Sequence, residues 1–130
     1  MYNYHLRVRN LLKKYGTADP LFIAKALKIK VFAADLPSHV NGMWKRVLRR
    51  KYICYNQNLE DWQIKAVVAH ELGHIILHPT YKHYCTENRT YFASAKHENE
   101  ADTFALCLLQ EALVDVDHEY IKKFLKEGWK

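Results

Sequence analysis

The chain is poor in everything that would take it out of a reducing, aqueous compartment. Among its 130 residues are only three cysteines. Cys54, Cys85 and Cys107 are odd in number, far apart and not arranged as CxxC. This argues against a disulfide framework and against a cysteine zinc knuckle, and it leaves reduced thiols as the reading. No apolar run approaches the roughly 20 residues that span a bilayer as a helix. The opening stretch MYNYHLRVRNLLKKYG alternates charged with apolar residues and lacks the unbroken apolar centre of a signal peptide. A cytoplasmic protein with no membrane partner is expected. There is also no internal repeat, low-complexity tract or long linker, so residues 1–130 read as one domain.

What is present suits a globular core: 49% of the residues are hydrophobic, and three Trp, nine Tyr and five Phe supply large side chains. The net charge of +6 raises the question of nucleic acid. Its densest cluster is Lys45-Arg46-Val47-Leu48-Arg49-Arg50-Lys51. Cations flanking an apolar pair are what a solvated β-hairpin tip shows, and no DNA-binding motif accompanies them, so direct nucleic-acid binding is not expected.

The pattern along the chain predicts an α+β fold. Residues 2–15 are helical in spacing and stop at Gly16, and Asp19-Pro20 opens a second helix running to Leu27. Ile29–Ala33, Met43–Leu48 and Tyr52–Tyr55 are short and β-branched or aromatic, separated by turn-prone residues, which predicts a small antiparallel sheet. A helix over Glu60–His78, capped by Asn58 and stopped by Pro79, comes next. After a polar, aromatic loop, residues 94–113 and 116–127 read as two further helices.

The third helix raises the chemical question, because AVVAHELGHIILHP sets His70, Glu71, His74 and His78 in a greasy run. Such a helix is buried, and a buried glutamate needs a partner or a changed protonation state. At 100° per residue His70 and His74 lie one turn apart on one face, with Glu71 beside them and His78 extending the row. Imidazoles at i and i+4 can chelate one zinc ion. The glutamate between them, offset enough not to ligate, can act on a water at that ion. The composition gives only about 0.03 chance HExxH matches, and a chance match would more often fall on a solvated surface. The competing reading is a pair of core histidines bonded to carbonyls, with Glu71 paired to a base.

A third protein ligand is required, with the fourth position left to water. KHENEADTFALCLLQEAL offers Glu98 and Glu100. On a helical wheel Glu98 shares its side with Ala101, Asp102, Ala105, Leu108, Leu109 and Ala112. Glu100 falls with Thr103, Cys107, Gln110 and Glu111. Glu98 is therefore the expected ligand, Asp102 is placed to hydrogen-bond a ligating imidazole, and Glu100 is expected to be a surface carboxylate.

YICYNQNLEDWQIKAVVAHELGHIILH, followed after a loop by ENEADTFALCLL, resembles the ImmA/IrrE family of metallopeptidases over nearly the whole chain. The resemblance implies a minimal zincin-like domain of gluzincin type, a sheet packed on the HExxH helix and a second, Glu-bearing helix. It implies one zinc ion on His70, His74 and Glu98, and Glu71 as the catalytic glutamate. It further implies an endopeptidase acting on a helix-turn-helix DNA-binding repressor and so relieving repression of mobile-element or stress genes. Gln110-Glu111 stands where the family often has Met-Pro, and no extra helix-turn-helix or sensor domain is expected. His78, His83, Tyr84 and Tyr91 are candidates to stabilise the transition state, His78 serving equally well as a neighbour of the ligands. An extended substrate would add to the edge of Met43–Leu48 or of Tyr52–Tyr55. The alternative reading is a non-cleaving, zinc-stabilised module that sequesters a regulatory protein, its basic hairpin gripping an acidic partner.

Overall fold

A computed structural model describes residues 3–78, 95–112 and 115–127. The described elements run α1 (Tyr4–Tyr15), α2 (Pro20–Ala26), β1 (Lys30–Ala34), β2 (Gly42–Val47), β3 (Arg50–Asn56), α3 (Asp61–Leu77), α4 (Ala95–Glu111) and α5 (His118–Glu127). Punctuation residues set the first boundaries. The Leu6 N–H donates to Asn3 Oδ1 at 3.0 Å, and Gly16, at φ 74°, turns the chain left-handed while its N–H reaches back to Leu12 O. Asp19 caps α2 by accepting from the Leu21 N–H at 3.1 Å, with Pro20 at the first helical position.

The sheet is mixed, not antiparallel. Its order is β1-β3-β2; β2 and β3 form an antiparallel hairpin, whereas β1 runs parallel to β3 with Lys30 opposite Tyr52. After β1 the chain passes to the far edge before returning, so β3 enters between two strands already placed. The crossover is tied down by the buried Asn56, whose side-chain nitrogen lies 3.1–3.2 Å from the carbonyls of Leu36, Pro37 and Val40. A central β3 also removes Tyr52–Tyr55 as an edge for an added strand and leaves β2 or β1.

Asn58 is not the cap of α3. Its N–H donates to Asn56 Oδ1 at 3.1 Å. The helix instead begins at Glu60 with a capping box, the Gln63 side chain accepting from the Glu60 N–H at 2.8 Å. From Ala66 to Leu77 every residue of α3 except Ile76 is buried, as a helix enclosed on all sides must be. It packs against α4, whose buried stripe is Ala101, Asp102, Phe104, Ala105, Leu108 and Leu109. Fully buried Leu72, Phe104 and Leu108 each contribute about 1.5–3 kcal/mol by leaving water. Helix α5 packs against both α3 and α4, burying Ile121 and Leu125 and setting Phe124 edge-on to Trp62, centroids 5.3 Å apart. Among the described residues no helix is long and apolar enough to cross a membrane.

Candidate metal centre

Two small residues bring α3 and α4 into backbone contact. A Cβ built on Gly73 would lie 3.0 Å from Ala101 Cα and 3.1 Å from Ala101 O. Gly73 sits between His70 and His74, and Ala101 between Glu98 and Asp102. The closest approach of the two helices therefore lies in the middle of their polar residues, and short side chains can meet across it.

They do meet. Glu98 Oε1 is 2.9 Å from His70 Nε2 and 3.1 Å from His74 Nε2, and the two Nε2 atoms are 3.2 Å apart. The two rings stand nearly perpendicular, at 81°. On its other side His70 Nδ1 donates to Asp102 Oδ1 at 2.7 Å, which leaves the Nε2 lone pair facing the cluster. Ligand bonds of about 2.0–2.1 Å in a tetrahedron place donor atoms roughly 3.3 Å apart. The three observed separations fall just inside that figure, so the donor set fits a zinc-sized dication with an adjustment of a few tenths of an ångström.

The electrostatics of Glu71 point the same way. The residue is fully buried, and among the described residues neither of its oxygens has a hydrogen-bond partner. Burial above all raises its carboxyl, His70 pulls it down and Glu98 and Asp102 push it up, which together leave it at about 8. A cation at the cluster supplies the charge that makes this carboxylate tolerable. Without one, the cluster shares protons. Burial disfavours charge on His70, but Asp102 and Glu98 outweigh it and raise the imidazole to about 10. Burial likewise opposes ionisation of Glu98, yet hydrogen bonds from His70 and His74 hold it at about 2. The Glu71 carboxylate is felt from the sheet: burial first and then Glu71 raise the Cys54 thiol on β3, and Cys54 pairs with Met43 on edge strand β2.

Glu100 is not a surface carboxylate. Its side chain is 17% exposed and accepts from His78 Nε2 at 2.8 Å. His78 is the C-cap of α3, and its ring lies 4.1 Å from that of His97, centroid to centroid. Burial holds His78 below its ordinary value despite the carboxylate. The wheel sorted α4 by its own faces and took no account of a neighbouring helix ending over its first turn, so Glu100 was misassigned and His97 was missed. The missed Gly73 carried a readable sign, a glycine inside a helix that otherwise avoids it. His83, Tyr84 and Tyr91 lie outside the described residues.

Residues 24–122 match the Peptidase_M78 family, described as an IrrE N-terminal-like domain. The chain is 40% identical over 78% of its length to "Uncharacterized immunity region protein 2" of Bacillus phage phi105, of which the match covers 65%. It is 30% identical over 93% of its length to "Metallopeptidase ImmA" of Bacillus subtilis (strain 168), of which the match covers 72%. It thus spans about two thirds of the length of these relatives. No solved structure gives a significant match. With the matched region enclosing both α3 and α4, the chain belongs to the Peptidase_M78 family of IrrE N-terminal-like metallopeptidase domains.

Proposed function

We propose that the chain is a zinc-dependent endopeptidase with one catalytic ion on His70, His74 and Glu98, in a minimal zincin-like domain of gluzincin type. The observation that carries this reading is the convergence of three donor atoms within 3.2 Å of one another beside a buried carboxylate whose oxygens make no hydrogen bond among the described residues. Bound zinc supplies Lewis acidity at the scissile carbonyl and lowers the pKa of water toward neutrality.

The rest is done by the chain. Glu71 takes a proton from the attacking water and delivers it to the departing amine nitrogen, so one carboxylate serves as base and then as acid. Asp102 holds the His70 ring in the tautomer whose Nε2 lone pair faces the cluster. Because the Cys54 thiol feels the Glu71 carboxylate, and Cys54 is paired with Met43, an extended peptide lying along the edge of β2 would bring its backbone toward Glu71.

The substrate we infer is a DNA-binding repressor of the helix-turn-helix kind, cut in the cytoplasm to relieve repression. The names of the relatives, one an immunity-region protein of a phage and the other a metallopeptidase, support that direction. The test is incubation of the zinc-loaded chain with the product of the neighbouring gene as the candidate repressor, read by mass spectrometry. A discrete cut is expected from the wild type. Glu71→Gln is expected to keep its zinc and leave the repressor intact, with a rate loss of at least about 10²-fold. If Glu71→Gln still relieves repression fully, the chain acts by sequestering its partner and the peptidase reading fails.

A further inference from the structure

A second group of metal-binding side chains lies beyond the first. His78, His97 and Glu100 each offer a ligand atom, and the three atoms lie within 4.8 Å of one another. His78 Nε2 and Glu100 Oε1 are 2.8 Å apart, and the His78 and His97 rings lie tilted at 44° to each other with their centroids 4.1 Å apart. His78 is buried, while His97 and Glu100 are half-buried. The three come from the C-terminal end of α3 and the first turns of α4, so a ligand held by them would join the same two helices as the catalytic cluster does. Its donors are two imidazoles and one carboxylate, the set found at His70, His74 and Glu98.

We propose that His78, His97 and Glu100 form a second site for a divalent transition ion of the zinc class. Donor chemistry selects the ion. Two imidazoles favour zinc, copper or nickel over magnesium or calcium, which prefer an all-oxygen shell. The second site binds more weakly than the first because two of its three ligands, against one of three in the first, are partly exposed and lose mobility when fixed, and because Asp102 already holds the His70 ring of the first from behind. Zinc is therefore expected to fill the sites in sequence, the His70 cluster first. Filling the second ties the end of α3 to the turn of α4 that carries Glu98, so it stabilises the helix pair beyond what the first ion achieves.

Zinc itself is the probe. The tag-free full chain is stripped of metal, dialysed against increasing buffered zinc, and its metal content measured by mass spectrometry alongside its melting temperature. The wild type is expected to take up two equivalents in separate steps, with a further rise in melting temperature at the second. His97→Ala and Glu100→Gln are each expected to stop at one equivalent and to lose only the second rise. His74→Ala is expected to lose the first step and keep the second at its original concentration. Saturation of the wild type at one equivalent overturns the proposal, as does persistence of two equivalents in both His97→Ala and Glu100→Gln. The catalytic reading fails separately, if His74→Ala leaves the tighter step intact.

Discussion

The seam between α3 and α4 and the tip of the β2–β3 hairpin both concentrate charged residues, and they handle them in opposite ways. At the tip, Lys45, Arg46, Arg49 and Arg50 are exposed and Leu48 is 91% exposed, so water satisfies each cation and the order of residues is under little constraint. In the seam, His70, Glu71 and Asp102 are buried, and every charge there must be matched by a neighbour, a proton or an ion. The difference teaches where chemistry is to be sought. A charge that the fold could have left in water carries little information, whereas one taken out of water has been held there by something. The same +6 excess that draws the eye to the hairpin says less about function than one glutamate in an apolar helix.

Substitutions in the seam should therefore carry far larger effects than substitutions at the tip. The largest is expected from Gly73→Ala. Alanine is the better helix former by about 1 kcal/mol, yet its Cβ would press on Ala101 backbone at 3.0–3.1 Å, and neither atom can rotate away. A net loss of about 1–3 kcal/mol in denaturant unfolding, together with weaker zinc binding, is the expected result; unchanged stability and affinity would show that the close approach does not set the cluster. Next comes Asp102→Asn, which keeps the shape but puts an amide against His70 Nδ1. Zinc affinity is expected to fall about 10–100-fold, measured by competition with a chelator, and equal affinity would mean that Asp102 does not orient the ring.

The contrast also explains what could be read from the sequence. The helices were legible because period, caps and burial agree: Gly16 and Asp19-Pro20 end and begin helices as expected. The inward placement of Glu98 was legible because the apolar stripe of α4 includes Ala101, Ala105 and Leu109, which forces that face inward. The parallel pairing of β1 with β3 was not. Strands of five to seven residues show the same alternation in either direction, and the deciding contact, Asn56 to the crossover carbonyls, is a tertiary one. Asn58 and Glu100 failed for a related reason. Each was judged by its own helix, while its actual place is set by Asn56 in one case and by His78 in the other.

The pH dependence of the metal-stripped chain sharpens the comparison next. Glu71 is raised from 4.5 to about 8, so the folded state holds a proton that the unfolded state releases, and stability falls as pH rises across that interval. His70 is raised from 6.5 to about 10; its contribution is complete below 6.5 and is lost as pH climbs toward 10. Glu98 is lowered from 4.5 to about 2, so its contribution is present above 4.5 and lost as pH falls toward 2. The melting temperature without metal is expected to peak near pH 4.5 and to decline above it, more steeply once His70 also titrates above 6.5, and zinc is expected to restore stability mainly on the alkaline side, where the ion replaces the missing protons. A flat profile between pH 6 and 9, about the range where both groups titrate, would contradict the buried electrostatics described for the seam. Cations at the tip should leave this profile unaltered.

The smallest effect is expected where the backbone rather than the charge is unusual. Leu48, at the hairpin tip, holds φ at 59°, a left-handed conformation that costs a branched side chain roughly 1 kcal/mol or more. Leu48→Gly removes that strain, and it also removes a large apolar side chain from water. Against this, glycine gains freedom in the unfolded chain worth about 0.4–1 kcal/mol. The two contributions nearly cancel, so unfolding free energy is expected to change by no more than about 0.5 kcal/mol, with zinc content and cleavage rate unaltered. A loss of several kcal/mol would mean that Leu48 is held by contacts its exposure does not show. A selective loss of repressor cleavage at unchanged stability would make the tip part of the substrate-binding surface, and the division drawn between a working seam and a solvated tip would no longer hold.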